Sequence, residues 1–267
     1  MDILSVKEIC ANLKVDANIQ IFDSLESTNT TLKELALLDK PHGTVIIANG
    51  LTGARGRRGR SFYAPKGAGI YMSIILRPDK NVANSPELIT ISAAVAVCRA
   101  IEKVCRKSPQ IKWINDIFLD NRKICGILTE AVTDNTGELS AIILGIGINF
   151  VKVDVPDELQ KIVGAVFSEG EQPTITRNQL IAEVLNQILK PYFIDRMPRT
   201  ASHTSSWNKT LENYKELLFI LGKEVRVESA EPYLAVAVDV DDRGRLIVQD
   251  GSGNLHTLDS GEISIRT

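Results

Sequence analysis

The 267-residue chain is poor in several things, and each shortage removes a class of protein. It has four cysteines, Cys10, Cys98, Cys105 and Cys125, and three histidines. No Cys-x-x-Cys pair and no His-rich segment accompanies them, so neither a zinc site nor a disulfide framework is indicated. The four read as reduced, mostly buried thiols. No run approaches the roughly 18 apolar residues that suggest a membrane-spanning helix. The first segment, MDILSVKEICANL, carries Asp2, Lys7 and Glu8 where a signal peptide would be apolar. A cytoplasmic protein with no membrane contact is expected. Net charge is scarce too, since 31 Lys plus Arg stand against 33 Asp plus Glu, for −2 overall. No global positive field would draw in nucleic acid, so any basic function must be local. What remains is a globular composition, 44% hydrophobic and 24% charged, which excludes a disordered or fibrous chain. The length predicts one large domain with an annex.

Apolar spacing lays out the elements. A strand over 19–22 passes through Ser27-Thr28-Asn29 into a helix that repeats Leu32, Leu35, Ala36 and Leu38. Hydroxyls and amides at such a junction serve as N-caps or as ligand contacts, and the pattern leaves both readings open. A second strand, 44–48, runs into a glycine- and arginine-rich segment, and a third follows over 70–76. Ser85-Pro86 opens an almost wholly apolar helix over 88–104, predicted as the central core helix. Strands over 111–119, 123–130 and 141–150 come next. Asp120-Asn121 reads as a two-residue hairpin turn and Asp134-Asn-Thr-Gly137 as a second turn, so the sheet is expected to be largely antiparallel. Thr176-x-x-Gln179 looks like a capping box, and Trp207, Leu211, Tyr214 and Leu218 mark another amphipathic helix. After Gly222 short alternating strands separated by Asp242-Arg-Gly244 and Gly251-Ser-Gly253 suggest a small β-barrel. The expected division is a main domain of residues 1–221 and a barrel of residues 222–267. The second part holds nine acids against five bases, a poor balance for nucleic-acid binding.

Arg55, Arg57, Arg58 and Arg60, interleaved with Gly56 and Gly59, would repel one another unless solvated or holding an anion. Glycines let the backbone come close, so amides as well as guanidinium forks can face phosphate or carboxylate oxygens. The segment reads either as a nucleic-acid or localisation patch or as an anion-holding loop; flanking strands and the lack of surrounding basic residues weigh toward the loop. In Lys112-Trp-Ile-Asn-Asp116, strand alternation places Lys112, Ile114 and Asp116 on one face and Trp113 and Asn115 on the other. The residues either fill core beside an ion pair or aim Asn115 and Asp116 into a cleft. Lys123, in Arg122-Lys-Ile-Cys-Gly126, is either surface decoration or a fixed ammonium for a carboxylate and the phosphate it attacks. Gly145-Ile-Gly-Ile-Asn149 has glycine at alternate strand positions, which would leave one sheet face flat for a ligand.

Ser27-Thr-Asn29, Arg55-Gly-Arg-Arg-Gly-Arg60, Lys112-Trp-x-Asn-Asp116, Arg122-Lys-x-x-Gly126 and Gly145-x-Gly-x-Asn149, in that order and spacing, resemble the biotin–protein ligases over nearly the whole chain. The resemblance implies an α+β fold in which a mixed, mostly antiparallel sheet carries helices on one face, as in class II aminoacyl-tRNA synthetases, with a small SH3-like barrel at the C-terminus. It implies attack of the biotin carboxylate on the α-phosphate of ATP with Mg²⁺, giving biotinyl-5′-AMP, and then transfer to a lysine of a biotin carboxyl carrier domain. Two anions meet in the first step, which explains clustered Arg and Lys. By resemblance Ser27, Thr28 and Asn29 belong to the biotin pocket. Arg55 and Arg57 would hold carboxylate and phosphate, with Gly56 and Arg58 in the same loop. Lys123 would bridge the two oxygen groups, and Asp116 would orient or deprotonate the incoming lysine, whose free pKa is about 10.4. Phe62 or Tyr63 is implied as an adenine-stacking surface and Asn149 as a nucleotide contact, while Asn115 and Gly126 fall within the same motifs. No protein metal-ligand set is implied.

Three positions depart from the family pattern. Leu51 stands where most relatives have a Gln that helps to bind biotin, Ala54 where Gly is usual, and Ile114 where Pro is usual. Weaker biotin binding is therefore expected, with every charged group retained. Many relatives carry an N-terminal winged helix-turn-helix; about 18 residues precede the first strand here, and residues 3–13 look like the linker helix that follows that module. No operator DNA binding is expected, and a homodimer is compatible with the resemblance. The alternatives are a lipoate ligase or octanoyltransferase of the same fold, which generally lacks the arginine loop, an Arg-rich nucleic-acid-binding protein, and a catalytically impaired paralogue.

Overall fold

β-Branched runs such as TVIIA and GIYMSIIL build the main sheet of the computed structural model, which describes residues 2–77, 86–190, 205–229, 231–259 and 262–265. Its strands are β1 (Asn18–Phe22), β2 (Thr44–Ala48), β3 (Gly69–Leu76), β4 (Gln110–Lys112), β5 (Asp116–Leu119), β6 (Arg122–Thr133) and β7 (Leu139–Asn149). They lie in the order β1-β2-β3-β7-β6-β5-β4. Only β1 and β2 are parallel, joined through helix α2 (Thr28–Leu37); the other neighbours are antiparallel. Local chemistry sets the turns. Asp120 and Asn121 take φ of 50° and 61°, the left-handed pair that a two-residue hairpin demands. The Asp134 carboxylate accepts the N–H groups of Thr136 and Glu138 around Gly137.

Every residue of β2 and β3 is buried, so neither face of the sheet centre meets water. On one face α2 packs Leu32 and Ala36 onto Ile46, Ile75, Ala141 and Ile143. Against Val45, Ile47, Ile74 and Leu144 on the other lie α3 (Pro86–Cys105), α4 (Arg177–Ile188) and α5 (Ser205–Leu217), with α1 (Val6–Asn12) packed on α4. The expectation of helices on one face is thus corrected. The parallel β1–β2 pair needs a crossover, and α2, which supplies it, covers the face the other helices leave open. The capping box on α4 is present, with Thr176 accepting from Gln179 N–H. Ser85, the expected cap of α3, lies outside the described residues.

The single strand expected over 111–119 is also corrected. The chain reverses at Trp113-Ile-Asn115, and β4 and β5 pair so that Lys112 sits opposite Asp116 and Ile111 opposite Ile117. Alternation cannot describe a segment that turns back. β6 holds the turn, for Asn115 Nδ2 donates to Ile127 O at 2.8 Å and Ile127 N–H returns to Asn115 O at 3.1 Å. The buried Tyr214 hydroxyl donates to Ile114 O at 3.1 Å.

A second antiparallel sheet contains β8 (Glu224–Glu228), β9 (Tyr233–Val240), β10 (Leu246–Asp250), β11 (Leu255–Leu258) and β12 (Glu262–Ile265), in the order β11-β10-β9-β8-β12. Val225, Val227, Ala235, Ala237, Leu246 and Val248 alternate into its core. Its Asp241–Gly244 turn is held by two indoles, one from the β4–β5 turn and one from α5: Trp113 Nε1 donates to Gly244 O at 2.9 Å and Trp207 Nε1 to Asp242 O at 2.8 Å. Among the described residues no helix is long and apolar enough to cross a membrane.

Candidate active site

A cavity of about 500 Å³ opens between the start of α2, the 51–62 loop, the β4–β5 hairpin and the first residues of β6. Its floor is polar but neutral. Ser27 is the N-cap of α2, accepting Thr30 N–H at 3.3 Å, and it also lines the cavity, so both readings of the Ser-Thr-Asn segment hold. Thr28 and Asn29 are only 5% and 7% exposed, and buried polar groups of this kind need partners. Ser73 Oγ, fully buried on β3, lies 2.7 Å from Thr28 Oγ1 and 2.5 Å from Asn29 Oδ1. Asn29 Nδ2 donates to Glu130 Oε2 at 2.7 Å, and Lys33 Nζ donates to the other oxygen of the same carboxylate.

The alternating glycines of β7 serve this floor differently from the expectation. A Cβ on Gly145 would collide with the Asn29 carboxamide, and one on Gly147 would meet the Phe62 ring at 2.8 Å. Instead of leaving a bare face, the glycines admit two side chains from elsewhere in the chain. Gly126 differs, since a Cβ there would have room, with Lys123 Nζ and Phe62 at ordinary contact distances of 3.5 and 3.7 Å.

The charged wall comes from the arginine loop. It closes on itself through Gly56 N–H to Arg60 O at 2.7 Å and Phe62 N–H to Ala54 O at 3.0 Å. Arg58 adopts φ 56° beside Gly59 at 74°, a left-handed conformation costing an L-residue about 1–2 kcal/mol. Arg57 Nη1 donates to Asn115 Oδ1 at 3.3 Å, so one asparagine links loop, hairpin and β6. Lys123 Nζ and Asp116 Oδ1 are 2.7 Å apart, with both side chains about three-quarters buried. Burial pushes the Cys98 and Cys125 thiols well up and does the same to the Tyr214 phenol, so none of the three is poised to ionise near neutrality.

Ser27, Thr28, Asn29, Leu51, Arg55, Gly56, Arg57, Arg58, Phe62, Asn115, Asp116, Lys123 and Gly126 all line this one cavity. Asn149 does not: its carboxamide donates to Gly164 O at 2.9 Å beside a much smaller cleft that also holds Tyr63. Sequence reasoning missed Glu228 and Ile263, which the second sheet contributes to the lining, and the pair Ser73 and Glu130 behind the floor. A serine inside the otherwise apolar and aromatic run of β3 was the signal for Ser73. No local pattern marks Glu228.

The family model described as the biotin/lipoate A/B protein ligase family matches residues 21–149, and the biotin protein ligase C terminal domain matches residues 220–266. The bifunctional ligase/repressor BirA of Bacillus subtilis (strain 168) is 34% identical over 256 residues, covering 94% of this chain and 76% of that protein. The biotin–[acetyl-CoA-carboxylase] ligase of Mycobacterium tuberculosis is 24% identical, over 83% of this chain and 78% of its own length. The biotin protein ligase from Aquifex aeolicus in complex with biotin and ATP shares the fold, with a TM-score of 0.77 at 22% identity over 93% of this chain and 98% of that one. Fold and cavity together define a protein ligase of the biotin/lipoate type with a C-terminal β-barrel. Within that class, the chain belongs to the biotin–protein ligases.

Proposed function

We propose that the protein is an ATP-dependent enzyme that activates biotin to biotinyl-5′-AMP and transfers the biotinyl group to a lysine of a biotin carboxyl carrier domain. One observation carries the reading. Arg57 and Lys123, from separate segments, reach the same cavity with Asp116 in contact with the lysine. The neutral floor suits an uncharged ureido ring, and the cationic wall suits the two anions that must meet. In the first step a carboxylate oxygen of biotin attacks the α-phosphorus and pyrophosphate leaves. Lys123, moving from Asp116 to the oxygens of both reactants, offsets their repulsion, and Arg55 and Arg57 hold the phosphate and exclude water from the mixed anhydride. In the second step the carrier amine attacks the acyl carbon and AMP leaves. Asp116, once its ammonium partner has moved, is available to take the amine proton.

Phe62 offers a ring edge or face for adenine, and Leu51 leaves one biotin hydrogen bond unmade. Mg²⁺ neutralises triphosphate charge and needs only one or two protein carboxylates beside it. Asp116 and Glu228 are the carboxylates lining the cavity, a donor set that fits an ion delivered with the nucleotide. The arginine loop, turned onto a cavity of about 500 Å³, supports a mononucleotide rather than DNA as its anion; a gel shift with operator DNA is expected to show no binding. The arginine loop and the match to the biotin ligase C-terminal domain favour biotin over lipoate. We also place the domain boundary near residue 221 and the enzyme in the cytoplasm, where its thiols stay reduced. The test is to mix the protein with biotin, MgATP and a carrier domain and look for a biotinyl mass increase on one lysine. No increase with biotin, but one with lipoate, would overturn the reading.

A further inference from the structure

We infer that Glu130, which lies outside the cavity, is a positioning residue that sets the hydrogen-bonding polarity of Thr28 on the cavity floor. The inference rests on the ligase reading above and deepens it.

The Glu130 carboxylate, ion-paired to Lys33, can only accept hydrogen bonds. Asn29 must therefore turn its NH₂ toward Glu130 and its Oδ1 toward Ser73. That oxygen is 2.5 Å from Ser73 Oγ and can only accept, so the single Ser73 proton points at it. Ser73 Oγ is also 2.7 Å from Thr28 Oγ1. With its proton committed, Ser73 can only accept there, and the Thr28 proton has to point at Ser73. Thr28 is left with lone pairs and no donor for the cavity. A hydroxyl ordinarily rotates to suit its ligand; this one is locked as an acceptor. Such an acceptor recognises an N–H, and a ureido ring carries two. A carbonyl presented at the same point would meet lone pairs and be rejected.

Because Lys33 and Glu130 are each about a third exposed, the pair can be reversed without carving the core. Exchanging them as Lys33→Glu with Glu130→Lys keeps the ion pair but puts a pure donor opposite Asn29. The carboxamide must flip, Asn29 then donates to Ser73, Ser73 donates to Thr28, and Thr28 presents its proton to the cavity. Biotin titration of this double variant is expected to show about tenfold weaker binding or more, one lost hydrogen bond plus one opposed donor. Glu130→Ala, which leaves only the longer bond from Asn29 Nδ2 to Leu128 O at 3.5 Å to orient the amide, should fall between it and the parent chain.

A second readout isolates polarity from packing. Two biotin analogues, each with one ureido N–H replaced by oxygen, are titrated alongside biotin. The parent chain should lose about tenfold on at least one of them, and the double variant should lose little. If the exchanged pair restores parental affinity and the parental analogue penalty, Glu130 is merely a structural ion-pair partner and the inference is overturned, with the ligase reading intact. If the parent chain itself does not bind biotin, both fall. Should thermal melting show the double variant unfolded, Glu130→Ala decides: weaker biotin binding with a diminished analogue penalty supports the inference, and unchanged values overturn it.

Discussion

The floor and the arginine wall of one cavity are built on opposite principles. Thr28, Asn29 and Ser73 sit on a helix start and a central strand, nearly inaccessible, with each polar group engaged by a neighbour. Residues 54–62 form a loop whose arginines are half-buried or exposed and whose turn carries Arg58 at φ 56°. A neutral ligand brings no charge to compensate, so its recognition depends on dipoles fixed in advance by packing. An anionic ligand brings charge that offsets the mutual repulsion of four guanidinium groups, so the loop can await it in a looser arrangement. The contrast teaches that preorganisation is concentrated where the ligand cannot help to organise the protein.

The sharpest way to break that contrast is at Lys123. Lys123→Ala is expected to lower biotin-dependent ATP–pyrophosphate exchange by about 10³-fold, the loss of one charge-stabilising donor at the reacting atoms. Biotin affinity measured without ATP should fall far less, because the floor is untouched. An equal loss in both would mean that floor and wall are not separable. Arg57→Ala comes next, with exchange down about 10²-fold, together with release of the Asn115 link that would show as faster proteolysis of the loop.

Glycine substitutions compare the two regions directly. Gly145→Ala drives a methyl into the Asn29 carboxamide, and overpacking of that kind costs about 1–3 kcal/mol; biotin titration should show at least tenfold weaker binding. Gly59→Ala meets no atom within 4 Å but inherits φ 74°, a local cost of about 1 kcal/mol that leaves biotin binding unchanged and is read in the melting temperature. Equal effects on biotin affinity would erase the distinction. The smallest change is Leu51→Gln, expected to tighten biotin by severalfold through about 1 kcal/mol of new hydrogen bonding. A neutral or harmful result by isothermal titration would show that Leu51 does not face the ureido end.

Legibility in the sequence followed the range of the interaction. The Asp120-Asn121 hairpin, the Thr176 capping box and the alternating strands after Gly222 are settled by residues a few positions apart, and the structure shows them where the pattern placed them. Thirteen of the fourteen expected site residues line one cavity, brought there by short segments in which charged groups and glycines stand close together in the sequence. The Trp113–Asn115 reversal escaped because period-two reasoning assumes an unbroken strand, and the partners that hold the turn, Ile127 and Tyr214, lie far along the chain. Asn149 lies outside that cavity for a similar long-range reason: its register against β3 and its bond to Gly164 decide where its amide points.

What the amino-acid order determined unaided was which segments become strands, turns and helices, and which chemical groups are present in what supply. Those follow from backbone preferences, apolar period and charge, all of which act over a few residues. Tertiary structure alone decided that Glu228 of the second sheet would reach the cavity, that the glycines of β7 would be filled by Asn29 and Phe62, and that a carboxylate on β6 would govern a hydroxyl on α2. Those outcomes depend on which faces meet when the apolar surfaces are buried, and a contact between distant segments has no local signature.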